Sequence, residues 1–121
     1  MDSTTTVVLR YRDGRTERST LIETDVERQI VRVARDDGAK DEVPFSILKA
    51  LFFPRTAAEE LQEPVAGSMI SVEFADGEVI RGVAQYNPER NGFFLFPLDR
   101  NKNDRIFVVN SAIVSIEVER L

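Results

Sequence analysis

Apolar and polar residues alternate in short runs along this chain. The clearest runs are Val7-Val8-Leu9-Arg10-Tyr11 and Ile70-Ser71-Val72-Glu73-Phe74, in which apolar residues occupy every second position. A period of two is typical of a β-strand with one buried and one solvated face. An Asp-Gly pair follows each run, at 13–14 and 76–77, and this dipeptide favours the positive φ of a tight hairpin turn. The pattern therefore predicts an all-β chain built from hairpins.

The same pattern occurs twice. When the chain is shifted by 63 residues, the first run falls on the second and the two Asp-Gly pairs coincide. The same comparison matches further apolar positions: Val31 with Phe94, Val33 with Phe96 and, after the shift grows to 65, Leu51 with Ile116 and Phe53 with Val118. Self-similarity of this kind indicates an internal repeat. We therefore predict two copies of one strand-rich unit.

Each copy is predicted to form five short strands, with a single helical turn at Asn110–Ala112 before the last one. Short, bent strands in this order are typical of a small SH3-like or Sm-like barrel. We predict a first barrel over 1–53, a linker over 54–67 and a second barrel over 68–121, packed together with pseudo-two-fold symmetry. Thr56 and Glu59 fit a capping box, so the linker is expected to contain a short helix.

The repeat also predicts which aromatic residues point away from the barrel interior. In Phe93-Phe94-Leu95-Phe96, the match to the first copy assigns Phe94 and Phe96 to the interior. Phe93 and Leu95 are then expected to face outward, because neighbouring residues of a strand point to opposite faces. By the same reasoning Phe52 faces outward.

An exposed apolar patch made of Phe52, Phe93 and Leu95 would need to be covered by another surface. The two copies could cover each other, as independent units or by exchanging strands. Alternatively, the patch binds a partner, which is another protein or a second copy in a homodimer. Both readings hold if the contact between the copies covers only part of the patch.

Composition narrows the chemistry. The chain contains no cysteine and no histidine, so it lacks a thiolate nucleophile, the commonest general base and the usual zinc ligands. Carboxylates such as Asp13 and Glu17 lie in polar turn segments, whereas acid–base catalysis needs a pocket that shifts a pKa. We therefore predict that the protein is not an enzyme and has no cofactor or metal.

Charge and hydropathy set further expectations. The formal net charge is −5, and neither half has the basic excess that is typical of proteins that bind nucleic-acid backbones. The N-terminus is polar and no run of 18 apolar residues occurs, so we expect a cytoplasmic protein without membrane insertion.

Residues 70–118 resemble the first Sm motif, with Asp76-Gly77, then Gly82, then Tyr86-Asn87-x-x-x-Asn91 and an apolar strand. In Sm-like proteins the equivalents of Asn87 and Asn91 sit in the loop that holds a base of single-stranded RNA. The resemblance implies an alternative function, an Sm-like binder of RNA. Because bacterial signalling barrels often bind cyclic dinucleotides, a PilZ-like binder of such a nucleotide belongs to the same alternative. Its ligand residues would be Asn87, Arg90, Asn91 and Arg105 around one loop end.

A closer resemblance covers nearly the whole chain. The segments 76–82, 86–97 and 105–112 are similar to an uncharacterised bacterial family of tandem small β-barrel modules. Members occur alone or attached to signalling modules such as receiver domains. The resemblance implies the tandem architecture and a regulatory setting. We therefore predict a non-enzymatic protein-interaction module in bacterial signalling or motility regulation.

Overall fold

Ten antiparallel strands are the main secondary structure in a computed structural model, which describes residues 5–55, 67–99 and 102–119. The first half contains β1 (Thr5–Tyr11), β2 (Thr16–Asp25), β3 (Ile30–Ala34), β4 (Lys40–Pro44) and β5 (Leu48–Pro54). The second half contains β6 (Ser68–Phe74), β7 (Val79–Ala84), β8 (Gly92–Pro97), β9 (Asn103–Val109) and β10 (Ile113–Glu119). The all-β prediction is confirmed.

Helical structure is limited to two short 3₁₀ turns in the described ranges, Phe45–Ile47 before β5 and Asn110–Ala112 before β10. The second is the turn predicted from the sequence. The described residues therefore contain no helix that is long and apolar enough to cross a membrane. The predicted linker helix at Thr56 and Glu59 lies outside the described residues.

The predicted Asp-Gly turns close the first hairpin of each half. Gly14 has a φ of 97° and Gly77 a φ of 89°, a region that residues with a Cβ rarely adopt. The Tyr11 N–H donates to the Arg15 carbonyl at 2.9 Å, and Asp13 Oδ1 accepts the Arg15 N–H at 2.9 Å. Local turn chemistry therefore fixes where each hairpin reverses.

All ten strands form one open sheet in the order β10-β6-β7-β8-β9-β5-β1-β2-β3-β4. The two halves meet where β5 pairs with β9, from Ala50 opposite Val108 to Phe53 opposite Arg105. This contact joins the fifth strand of one half to the fourth strand of the other. A two-fold axis would join like edges. The sheet therefore does not show the predicted pseudo-two-fold arrangement.

Strands β5 and β9 are buried on both faces and fill two separate core clusters. Phe107 and Val109 of β9 pack in the first cluster, with the apolar residues of the first half. Ala50 and Phe52 of β5 pack in the second cluster, with those of the second half. Because alternate residues of a strand point to opposite faces, each half completes the core of the other.

The predicted outward patch is wrong. Phe93 is 6% exposed, Leu95 is 0% exposed, and both belong to the second core. Phe52 does point away from the first core, but the second half covers it and leaves it 6% exposed. Phe94, which was expected inside, is 40% exposed, and Phe96 is partly exposed.

A β-bulge explains this reversal. Leu21 pairs with Val33, whereas Ala84, which lies 63 residues beyond Leu21, pairs with Leu95, only 62 residues beyond Val33. The extra residue of the first half is Ile22, at the point where the register of β2 shifts. A slip of one residue moves every following side chain to the other face of the strand. The repeat therefore predicts correctly that two apolar residues of β8 point outward, but these residues are Phe94 and Phe96 and not Phe93 and Leu95.

Candidate functional site

A groove of about 290 Å³ lies beside β8 and is lined by residues from both faces of the strand. Phe94 and Phe96 line it from β8, Phe107 lines it from β9, and Val26 lines it from the turn between β2 and β3. Arg90, in the loop before β8, is the charged residue among those that line the groove. The groove thus combines an aromatic wall with a positive charge at the junction of the two halves.

Packing holds the aromatic wall in place. The ring of Phe94 lies edge-on to Phe107, with centroids 5.2 Å apart, and tilted against Phe53 at 5.7 Å. The Arg105 guanidinium lies 4.2 Å from the centre of the Phe53 ring and 5.7 Å from that of Phe94. Phe94 is therefore fixed by three neighbours while much of its surface stays open to solvent.

Gly92 allows β8 to approach β9 closely enough to form the groove. A Cβ at this position would lie 2.3 Å from Cζ of Phe107 and 2.9 Å from the Val108 carbonyl oxygen. No side chain fits at such distances, so glycine is required by the close approach of the two strands.

The loop between β7 and β8 is tied to the rest of the protein by asparagine side chains. Asn91 Nδ2 donates to the Val26 carbonyl at 2.9 Å and so holds the β2–β3 turn beside the groove. Asn110 Nδ2 donates to the Asn87 carbonyl at 3.2 Å and to the Arg90 carbonyl. Asn87 Oδ1 accepts the backbone N–H two residues further on. These amides stabilise the loop that carries Arg90.

The structure therefore separates the predicted ligand residues. Asn87, Arg90 and Asn91 share one loop, but only Arg90 lines the groove, and Arg105 lies on the β9 side of Phe94, paired with Asp104 at 2.7 Å. The exposed Arg90 guanidinium makes no side-chain hydrogen bond or ion pair within ranges 5–55, 67–99 and 102–119. Of the four predicted ligand residues, Arg90 alone is placed to meet a molecule in the groove.

Two features of the groove could not be found from the sequence. These are the outward position of Phe94 and Phe96 on β8 and the place of Val26 in the groove lining. The exchange on β8 follows from the bulge at Ile22, which an ungapped comparison does not reveal. The contact between Asn91 and Val26 joins residues 65 positions apart, and no local pattern in the sequence marks it.

A second polar cluster lies at the junction. The buried Lys49 of β5 donates from Nζ to Asp76 Oδ2 at 2.7 Å and to Glu78 Oε1 at 2.5 Å, and lies 4.7 Å from the Phe74 ring centre. Arg10 pairs with Glu78 Oε2 at 3.3 Å. The hydrogen bond from Lys49 is the main cause of a lowered pKa of Asp76. The charges of the two cations and the two carboxylates cancel. The cluster therefore joins the two halves and offers no net charge to a ligand.

The carboxylates of the described segments do not gather into any group of three or more that could hold a metal ion. No curated protein and no solved structure matches the chain. The sequence model of a family of unknown function, DUF6982, matches residues 3–120. The predicted resemblance to an uncharacterised family is confirmed to that extent. The chain belongs to this family of unknown function, DUF6982.

Proposed function

We propose that the protein is a non-enzymatic interaction module that takes an apolar side chain of a partner protein into the groove beside β8. The observation that carries this proposal is Phe94, which is 40% exposed although packing holds it in place. Large apolar side chains in a concave surface are typical of binding sites, and aromatic residues and arginine are enriched at protein interfaces. Because the wall is preformed, little ordering is needed on binding.

Arg90 supports a specific partner chemistry. Arg90 lines the groove, and a carboxylate of the partner would form a charge-assisted hydrogen bond with its guanidinium. The partner segment is therefore an apolar or aromatic residue next to Asp or Glu. A bacterial signalling or motility setting is supported only by the sequence resemblance.

The architecture proposed for the module is a tandem of two SH3-like or Sm-like barrels. Three features support it: the strand order of β1–β5 recurs in β6–β10, an Asp-Gly turn follows the first strand of each half, and a 3₁₀ turn precedes the last strand of each half. In this proposal the groove exists only where the two barrels meet.

A peptide display library tests the proposed function. We expect enriched peptides to carry an apolar residue beside an acidic one, and fluorescence anisotropy to show that Arg90→Glu weakens their binding by about tenfold or more. The matched control is Arg18→Glu, which reverses the charge of another exposed arginine that has no ion pair in the described part of the chain. Enriched peptides that bind wild type and Arg90→Glu equally would contradict the proposal.

The alternative function is an outcome of the same test. Single-stranded RNA and a cyclic dinucleotide are titrated at two salt concentrations against wild type and Arg90→Glu. Salt-sensitive binding of either ligand that requires Arg90, without peptide binding, would replace the protein-interaction proposal.

A further inference from the structure

Strand β10 is an edge strand whose counterpart in the first half is an interior strand. Strand β5 pairs with β1, and β10 pairs with β6, with Leu51 opposite Leu9 and Ile116 opposite Val72. On its other side β5 pairs with β9, whereas no described strand pairs with the other side of β10. The backbone N–H and C=O groups along that side of β10 are therefore open to a further strand.

The missing neighbour leaves part of the second core uncovered. Leu51 and Phe53 of β5 are buried, whereas Ile116 is only partly buried and Val118 is 48% exposed. In the first core Phe107 of β9 lies directly opposite Leu51 and packs in the same cluster. None of the described residues covers β10 in this way, so within residues 5–55, 67–99 and 102–119 the second core lacks the cover that β9 gives to the first.

The β4 edge of a second copy does not supply this cover. If that β4 strand paired with β10 in the register of the β5–β9 contact, Glu42 would lie opposite Ile116 and Asp41 opposite Glu117. Like charges directly opposite each other destabilise a strand pair. A carboxylate would also lie where the first core has the ring of Phe107.

We propose that β10 accepts an antiparallel strand of a partner protein in which apolar residues alternate with lysine or arginine. The apolar residues would cover Ile116 and Val118, as Phe107 and Val109 cover the first core. The basic residues would lie opposite Glu117, an exposed carboxylate without an ion pair among the described residues. Backbone pairing with an exposed edge gives affinity, and alternate side chains give specificity. This docking edge does not depend on the groove beside β8.

The probe is the peptide Lys-Val-Lys-Val-Lys-Val-Lys, titrated against the full chain and followed by amide hydrogen exchange. We expect slower exchange in β10 and binding that weakens by about tenfold in Glu117→Lys. A peptide with Glu in place of Lys should restore binding to Glu117→Lys. Glu27→Lys, which reverses an exposed carboxylate in the β2–β3 turn, is the matched control and should bind as wild type does.

Two further peptides distinguish strand addition from charge attraction. One carries N-methyl groups on its valine amides and the other on its lysine amides, so that opposite backbone edges are blocked. Strand addition requires one of them to lose binding and the other to keep it. Equal binding of both, or no effect of Glu117→Lys, would overturn the proposal. A doubled solution mass of the free chain with slow amide exchange in β10 would also overturn it, because two β10 edges would then pair with each other. Arg90→Glu should bind the probe normally, which separates this result from the test of the groove.

Discussion

Strands β5 and β10 hold the same place in their halves but differ in what surrounds them. Phe52 on β5 is buried in the core of the other half, and Glu117 occupies the corresponding position on the open edge of β10. Lys49 is buried against two carboxylates, whereas Val114, at the matching position of β10, is 64% exposed. The burial of a residue therefore depends on the neighbouring strand more than on its position in the repeat.

The largest effect is expected where the second core receives β5. Phe93→Arg places a charge among buried apolar residues, and an unpaired buried charge costs more than the total stability of many domains. We expect this variant to be unfolded, as measured by circular dichroism. Phe94→Arg is the control on the outward face of β8 and should lose only about 1–2 kcal/mol, since its charge reaches solvent. A folded Phe93→Arg protein would contradict the assignment of β8 faces.

A smaller effect is expected from Phe52→Ala. Removing a buried phenylalanine side chain lowers the free energy of unfolding by about 3–5 kcal/mol. Here the change also removes the ring that lies 4.1 Å from the Arg10 guanidinium. Urea denaturation should show this loss, and Glu117→Ala on the open edge should stay within about 0.5 kcal/mol of wild type. Similar losses in both variants would show that the two strands are not differently covered.

The smallest effect concerns acid stability at the junction. Because the folded-state pKa of Asp76 is lowered, its stabilising contribution is complete above the unfolded pKa of about 4 and is lost as the pH falls through the lower folded value. Asp76→Asn should therefore lose less stability than wild type when the pH is reduced below about 4. Asp36→Asn, in the β3–β4 turn, serves as the control. Parallel stability curves for wild type and Asp76→Asn would contradict a role of the Lys49 hydrogen bond.

Much of the local structure could be predicted from the sequence. Alternation at Val7, Leu9 and Tyr11 identified a strand, the Asp-Gly pairs identified the turns, and Asn110–Ala112 was recognised as a helical turn. Each of these features depends on residues that are neighbours in the chain, and turn and strand preferences are encoded at that range.

The contact between the halves and the candidate groove could not be predicted in the same way. The pairing of β5 with β9 joins segments that are far apart in the chain. The bulge at Ile22 shifts the alignment of the two copies by one residue beyond β2, and nothing in the local polarity pattern marks it. The sequence did indicate that one face of β8 is apolar and outward. Only the register across β2 and β3 decides that this face carries Phe94 and Phe96.

The shared cores have a consequence for how such a chain can change over evolutionary time. The turn between β3 and β4 can lengthen, because the backbone hydrogen bonds of Gly38 and Ala39 stay within the turn. Strand β5, in contrast, contributes side chains to both core clusters. A substitution there disturbs the packing in one half or the other, and a compensating substitution in β9 or in the opposite half is needed to restore it. The two halves are therefore bound to evolve as a pair, even though they are encoded one after the other.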